Sequence, residues 1–302
     1  MNLMEWFDSL QPALPVISIL TELAVAVLLF VLARFSHGWF SGVNSTEELA
    51  DRDNIAFGIS VAGGMIALAI ALSGVFQLPR QPELWLNLLW VFGLGLAALL
   101  LIRAGRWWYD KWGLNHVDKR QLILEGNVAM ALVDGAVAIS IAMVLKGMLL
   151  WLGHLSLTAM PLLMFNFFIA ICFLVLITRL LERRYRRSNQ GGSLQRALAQ
   201  DHRPVALRHS GYLLASSLTI QTAGHFQPYQ ASMPMITMAA WLGWALLGLA
   251  LLIVISTLLR QLVLARVKIG LEVELQNNAG IAALEGALVF AAAYLLSQLI
   301  QP

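Results

Sequence analysis

Charge and cysteine are both scarce in this 302-residue sequence, and so is any long polar segment. Only 12% of the residues are Asp, Glu, Lys or Arg, about half the roughly 25% of an ordinary soluble domain. The one cysteine, Cys172, sits in an apolar run, so no intrachain disulfide framework exists. No glycine-rich phosphate loop and no GxSxG elbow is present. No pair among the six histidines has a metal-binding spacing with a cysteine or an acid on one helix face. The polar connections run to roughly 20 residues, too short for a separate catalytic domain. Asp134-Gly135 and Glu285-Gly286 resemble an intramembrane aspartyl-protease pair only superficially. These absences predict a protein that is not an enzyme and needs no cofactor or metal. The segment from Met1 to Gln11 carries Glu5 and Asp8 but no Lys or Arg, the wrong sign for a signal peptide.

What is abundant is apolar sequence, at 59% of residues. A helix needs about 20 apolar residues to cross about 30 Å of hydrocarbon. Eight stretches qualify, at 13–34, 54–76, 84–103, 127–150, 158–179, 206–224, 235–259 and 279–300. Spans 2–3, 4–5 and 6–7 are joined by short turns marked by Pro79 and Pro82, by Gly153 and His154, and by Pro228 and Pro234. The other four connections, with their flanks, hold 18 of the 20 Lys and Arg residues; only Arg80 and Lys146 lie elsewhere. By the positive-inside rule those four loops are cytoplasmic and both termini face the periplasm. The predicted fold is an all-α polytopic membrane protein of eight transmembrane helices.

Each even-numbered span opens on a similar phrase: ELADRDNIAFGISVAGG from Glu48, LILEGNVAMALVDGAVA from Leu122, LAQDHRPVALRHSGYLL from Leu198 and EVELQNNAGIAALEGAL from Glu272. Acidic or amide residues come first, then small apolar residues, then Gly63, Gly135, Gly211 or Gly286. The polar cluster suits a helix N-terminus, where it caps free N–H groups. The small residues suit close approach of neighbouring helices. Asn127 matches Asn278 and Asp134 matches Glu285, each pair half the chain apart. The pattern predicts a two-helix repeat used four times. It forms two pseudo-equivalent four-helix halves, 1–152 and 153–302, which point the same way in the membrane.

The phrases ADRDNIAFGISVAGGMIALAIALSG and EGNVAMALVDGAVAISIAMV resemble the YjfL-like family of bacterial inner-membrane proteins, domain-of-unknown-function family 350. The resemblance implies a four-helix membrane unit, here in tandem, in the bacterial inner membrane. It implies an association with envelope stress and no settled activity. The third phrase departs from the pattern, with His202, Arg203 and Pro204 where acids and amides stand elsewhere.

Asp134 and Glu285 are the sharpest candidates for function. Each lies about seven residues, hence about 10 Å, into its span. A charge at mid-span costs roughly 2.5–3.5 kcal/mol on insertion scales, which marks such acids as functional by default. Asn127 and Asn278 lie two turns before them on the same helix faces. Together with Asn54 they are candidates for a cytoplasmic mouth. Pseudo-symmetry would let the two polar tracks face each other across a central axis. Without a partner, burial would favour the neutral carboxyl, as in a proton or cation site. Glu22, in the middle of span 1, either completes that site or pairs between helices. Lys146 suits snorkelling toward the interface.

The leading expectation is a small-ion or proton-linked channel or carrier built on Asp134, Glu285 and Glu22. The competing one is a non-transporting scaffold of the envelope-stress response. In it Arg183, Arg184, Arg186 and Arg187 hold anionic lipid or a peripheral cytoplasmic protein. The bilayer is the one certain partner, nucleic acid is not expected, and a homo-oligomer is left open.

Overall fold

The computed structural model describes residues 14–153 and 160–300; the acidic start and His154 lie outside them. Eight long helices follow one another: α1 Leu14–Ser41, α2 Ile55–Val75, α3 Leu84–Gly113, α4 Val128–Leu152, α5 Met160–Ser188, α6 Arg203–Phe226, α7 Pro234–Val263 and α8 Ala279–Ile300. Among the described residues seven of them are long and apolar enough to cross a membrane, as in a multi-pass membrane protein. The other is α6. Its 24 residues span about 36 Å, but it carries Arg203, Arg208, His209 and a series of serines and threonines.

The odd-numbered helices overrun their expected ends. They have 28 to 30 residues and reach 41, 113, 188 and 263. The apolar run measures the hydrocarbon, whereas in α3, α5 and α7 the helix continues through Arg or Lys, which are good formers once their charges reach the interface. Arg103 and Arg106 therefore ride on α3 rather than in a loop.

The even-numbered helices form a row. Their extensive contacts run α2 to α4, α4 to α6 and α6 to α8, with the odd helices flanking. In lipid no hydrophobic force draws helices together, so close approach depends on small residues and polar links. Gly63 of α2 crosses Gly135 of α4 with their backbones in contact, and Gly211 of α6 crosses Gly286 of α8 likewise.

All four even helices start alike. A short helical turn leads in, at Glu47–Asp51, Lys119–Leu124, Leu194–Ala199 and Leu271–Leu275. Next comes a residue with positive φ: Asp53 (48°), Gly126 (88°), Asp201 (57°) or Asn277 (58°). Gly, Asn and Asp are the residues that tolerate this backbone. The next residue, Asn54, Asn127, His202 or Asn278, stands at the helix start.

Candidate functional site

Asp134 of α4 is fully buried, and α2, the overrun of α3 and the lead-in turn before α4 supply its partners. The guanidinium of Arg106, on the overrun of α3, grips it from one side through Nη2 to Oδ2 and through Nε to Oδ1 at 3.2 Å. The Ser60 hydroxyl of α2 donates to Oδ2. Lys119, the first residue of the lead-in turn before α4, places Nζ 2.7 Å from Oδ1. Lys119 also pairs with Asp110, one turn beyond Arg106 on α3. Two acids and two cations thus form one closed ionic cluster. Removing one member of such a buried set strands the others.

A cavity of about 1210 Å³ opens onto this cluster. Its walls are largely apolar, from α1, α2 and α3, and Gly64 is part of them. Its charged lining is Arg103, Arg106, Lys119, Arg120, Asp110 and Asp134. Among the described residues, four cations and two carboxylates thus stand on its wall.

The second unit repeats the scaffold with different chemistry. Glu285 of α8 is fully buried and accepts from Arg260 of α7 at 2.9 Å and from the Tyr212 hydroxyl at 3.3 Å. Tyr212 follows Gly211 as Gly64 follows Gly63. The second unit therefore places a phenol against its carboxylate where the first has a glycine beside a cavity.

The expected meeting of Asp134 and Glu285 does not occur. Asp134 is held by α2, α3 and the lead-in turn before α4, and Glu285 by α6 and α7; the two share no partner among these bonds. Nor is either unpaired, so the argument from an isolated buried carboxyl does not apply. Glu22 lies in a third place. Its carboxylate accepts from Arg80 at 2.8 and 3.0 Å, from Asn87 at 2.9 Å and from Ser18 at 3.2 Å. This pairs α1 with the turn between α2 and α3, and the carboxylate beside Arg80 pushes the guanidinium pKa further up.

The three asparagines cap helices, and Asn54 and Asn127 also tie repeats together. The Oδ1 atoms of Asn54, Asn127 and Asn278 accept from Phe57, Met130 and Ile281 backbone N–H groups at 3.0, 2.7 and 3.1 Å. The Asn54 amide also donates to the Ile123 and Leu124 carbonyls, both at 3.2 Å. The Asn127 amide donates to Leu198 and Ala199 at 2.9 and 3.0 Å. At the divergent third start, Asp201 accepts from the Ala129 N–H at 2.7 Å and so caps α4 from another repeat.

Arg183, Arg184, Arg186 and Arg187 end α5 and are all exposed. Arg184 donates to the Tyr212 hydroxyl at 3.5 Å, and Arg186 pairs with Glu182 at 3.7 Å. Lys146 lies on α4 with its stem against Gly74.

Ser60, Arg106, Asp110, Lys119, Tyr212 and Arg260 were not expected as site residues. Arg106 and Asp110 stand four apart beyond the apolar run, a helical spacing legible in the sequence. What hid them was the end assigned to span 3. Among the described residues no three His, Cys, Asp or Glu side chains are placed to hold a metal ion.

A family model described as Domain of Unknown Function (DUF350) matches residues 9–149 and again residues 151–300. No curated protein matches, and no solved structure matches.

Proposed function

The chain belongs to the DUF350 family, as two units in tandem, and from that premise we propose a small-ion channel or carrier whose site is the Asp134 cluster of the first unit. In this reading α6 is the eighth span, its polar residues turned toward α4 and α8. The four two-helix repeats then share one orientation, both termini are periplasmic, and the membrane is the bacterial inner membrane.

The observation that carries the reading is the cavity that reaches a buried, fully paired carboxylate. A structural ion pair gains nothing from an opening beside it, whereas a transport site requires one. Arg106 and Lys119, the two cations that hold Asp134, are the groups that an entering anion would meet at the end of the cavity. An entering anion competes with Asp134 for Arg106 and Lys119. A carboxylate that has lost its cations is the natural place for a proton, which would link ion entry to proton uptake. Glu285, plugged by Tyr212, serves as a structural twin.

The test is flux of chloride and of protons in proteoliposomes, for the native chain, Asp134→Asn and Glu285→Gln. The reading expects native flux that Asp134→Asn abolishes and Glu285→Gln preserves. No flux from the native chain under either a voltage or a pH gradient would sink it.

The exposed arginines ending α5 favour a second reading, a scaffold that recruits anionic lipid or a peripheral envelope-stress protein. Charge reversal at Arg183 and Arg187 would then abolish recruitment while Asp134→Asn left it intact.

A further inference from the structure

Three of the four even helices reach forward to the next repeat, whereas the bonds of Asn278, at the start of the fourth, are local. Asn54 donates to the carbonyls of Ile123 and Leu124, four and three residues before Asn127. Asn127 donates to Leu198 and Ala199, four and three residues before His202. His202 Nε2 lies 3.3 Å from the Glu274 carbonyl, four residues before Asn278. Asn278 keeps its local bonds, to Ile281 and to Glu272 at 2.9 Å, as Asn54 keeps its own to Phe57 and Glu48. The carbonyls that would complete the series precede Asn54, at Ala50 and Asp51, and both residues are exposed.

The helix faces say the same. Between α4 and α6, which join the two units, the Ser210 hydroxyl lies 3.3 Å from the Leu132 carbonyl and the Ser217 hydroxyl 3.4 Å from Met143 Sδ. The register that pairs Asn127 with Asn278 carries Leu132 and Met143 onto Ala283 and Tyr294 of α8. The register that pairs Gly211 with Gly63 carries Ser210 and Ser217 onto Ala62 and Ala69 of α2. All four of these counterparts are exposed, Tyr294 by 51%. The face of α4 that α6 covers therefore has a bare copy on α8, and the face of α6 that α4 covers has a bare copy on α2.

We infer that copies of this chain assemble head to tail, α8 of one copy packing on α2 of the next as α4 packs on α6. Ala283 then meets Ala62, Tyr294 lies over the gap at Ala69, and the Asn278 amide donates to the Ala50 and Asp51 carbonyls. Small residues in this position permit the close approach that helix pairs in lipid need. All copies insert the same way, so the rotation relating them lies along the membrane normal, and the contact is heterologous rather than self-complementary.

Disulfide crosslinking in native membranes tests this, in a Cys172→Ser background with two differently tagged copies co-expressed. One carries Ala62→Cys and the other Ala283→Cys; both sites are exposed, so neither change disturbs the fold of a copy. The mixed pair is expected to shift from the 33.2 kDa of one chain to twice that mass. Ala62→Cys alone and Ala283→Cys alone are expected to stay at one chain. Absence of the mixed product would mean that lipid covers both faces and would overturn the inference; self-crosslinking of either single variant would overturn it in favour of a self-complementary contact. Asn278→Asp keeps the cap acceptor and removes the donor, and it is expected to lower the mixed product several-fold. An unchanged yield would overturn the contact as drawn.

Discussion

Gly63 and Gly135 cross backbone to backbone, and the crossing is lopsided. A methyl group on Gly63 would run into the Cα of Gly135, whereas one on Gly135 would sit 3.5 Å from the Cα of Gly63, an ordinary contact. Alanine at Gly63 must therefore push α2 from α4, as overpacking does at a typical cost of about 1–3 kcal/mol. Gly63→Ala is expected to lower the thermal midpoint in detergent clearly, with Gly135→Ala near neutral. Equal effects would mean that the helices shift freely at this point. At the Gly211–Gly286 crossing a methyl on Gly211 again runs into a backbone, but one on Gly286 sits 3.3 Å from the Leu207 carbonyl oxygen, so the inequality is expected to be smaller in the second unit.

Asp134 is buried with two cations that themselves have little water, Arg106 at 17% and Lys119 at 12% side-chain exposure. Asp134→Asn keeps the shape but strands that charge, and breaking a buried pair on one side costs about 3–5 kcal/mol. The expectation is a large loss of stability from Asp134→Asn and partial recovery when Arg106→Met is added. Recovery marks stranded charge as the cause. If the double variant is worse than the single one, the guanidinium has other partners that matter more.

Much of this architecture was legible in the sequence because a bilayer imposes simple rules. Apolar length gave seven of the long helices as membrane spans, and small-residue phrases located the starts of the even ones. The phrases also carried Gly63, Gly135, Gly211 and Gly286, which the fold places at two crossings with backbones in contact. The partners of the acids were not legible. Arg106 and Arg260 lie beyond the apolar windows, where a sequence reading sees loop cations serving topology rather than side chains folding back on a carboxylate. The separation of Asp134 from Glu285 was hidden for another reason. Matched positions in parallel repeats establish equivalence and not proximity, and the even helices stand in a row rather than around a shared axis.

Arg80 and Glu22 make a second, more exposed link, with Arg80 at 49% and Glu22 at 8% side-chain exposure. Water screens such a pair, so its net worth is about 0.2–1 kcal/mol. Because the carboxylate keeps Asn87 and Ser18, Arg80→Gln is expected to cost far less than Asp134→Asn in the same melting assay. A comparable loss would show that Glu22 depends on the guanidinium alone.

Gly64 and Tyr212 occupy matching positions in different surroundings. Gly64 lines the opening onto Asp134, while the Tyr212 hydroxyl lies against Glu285. Gly64→Tyr is expected to obstruct the cavity that Gly64 lines and to abolish flux, with a melting midpoint measured beside the flux to show that the variant is folded. In the second unit Tyr212→Gly removes a ring and one hydrogen bond to a carboxylate that still has Arg260. It creates space but not the first unit's lining. The Lys119 register reaches no cation there, since 151 positions further on stands Gly270. Tyr212→Gly is therefore expected to lower stability by about 3–5 kcal/mol, as deletion of a packed aromatic does, without adding flux. If it doubled the flux instead, the two units would be equivalent carriers, and the phenol would be a removable plug rather than part of a structural twin.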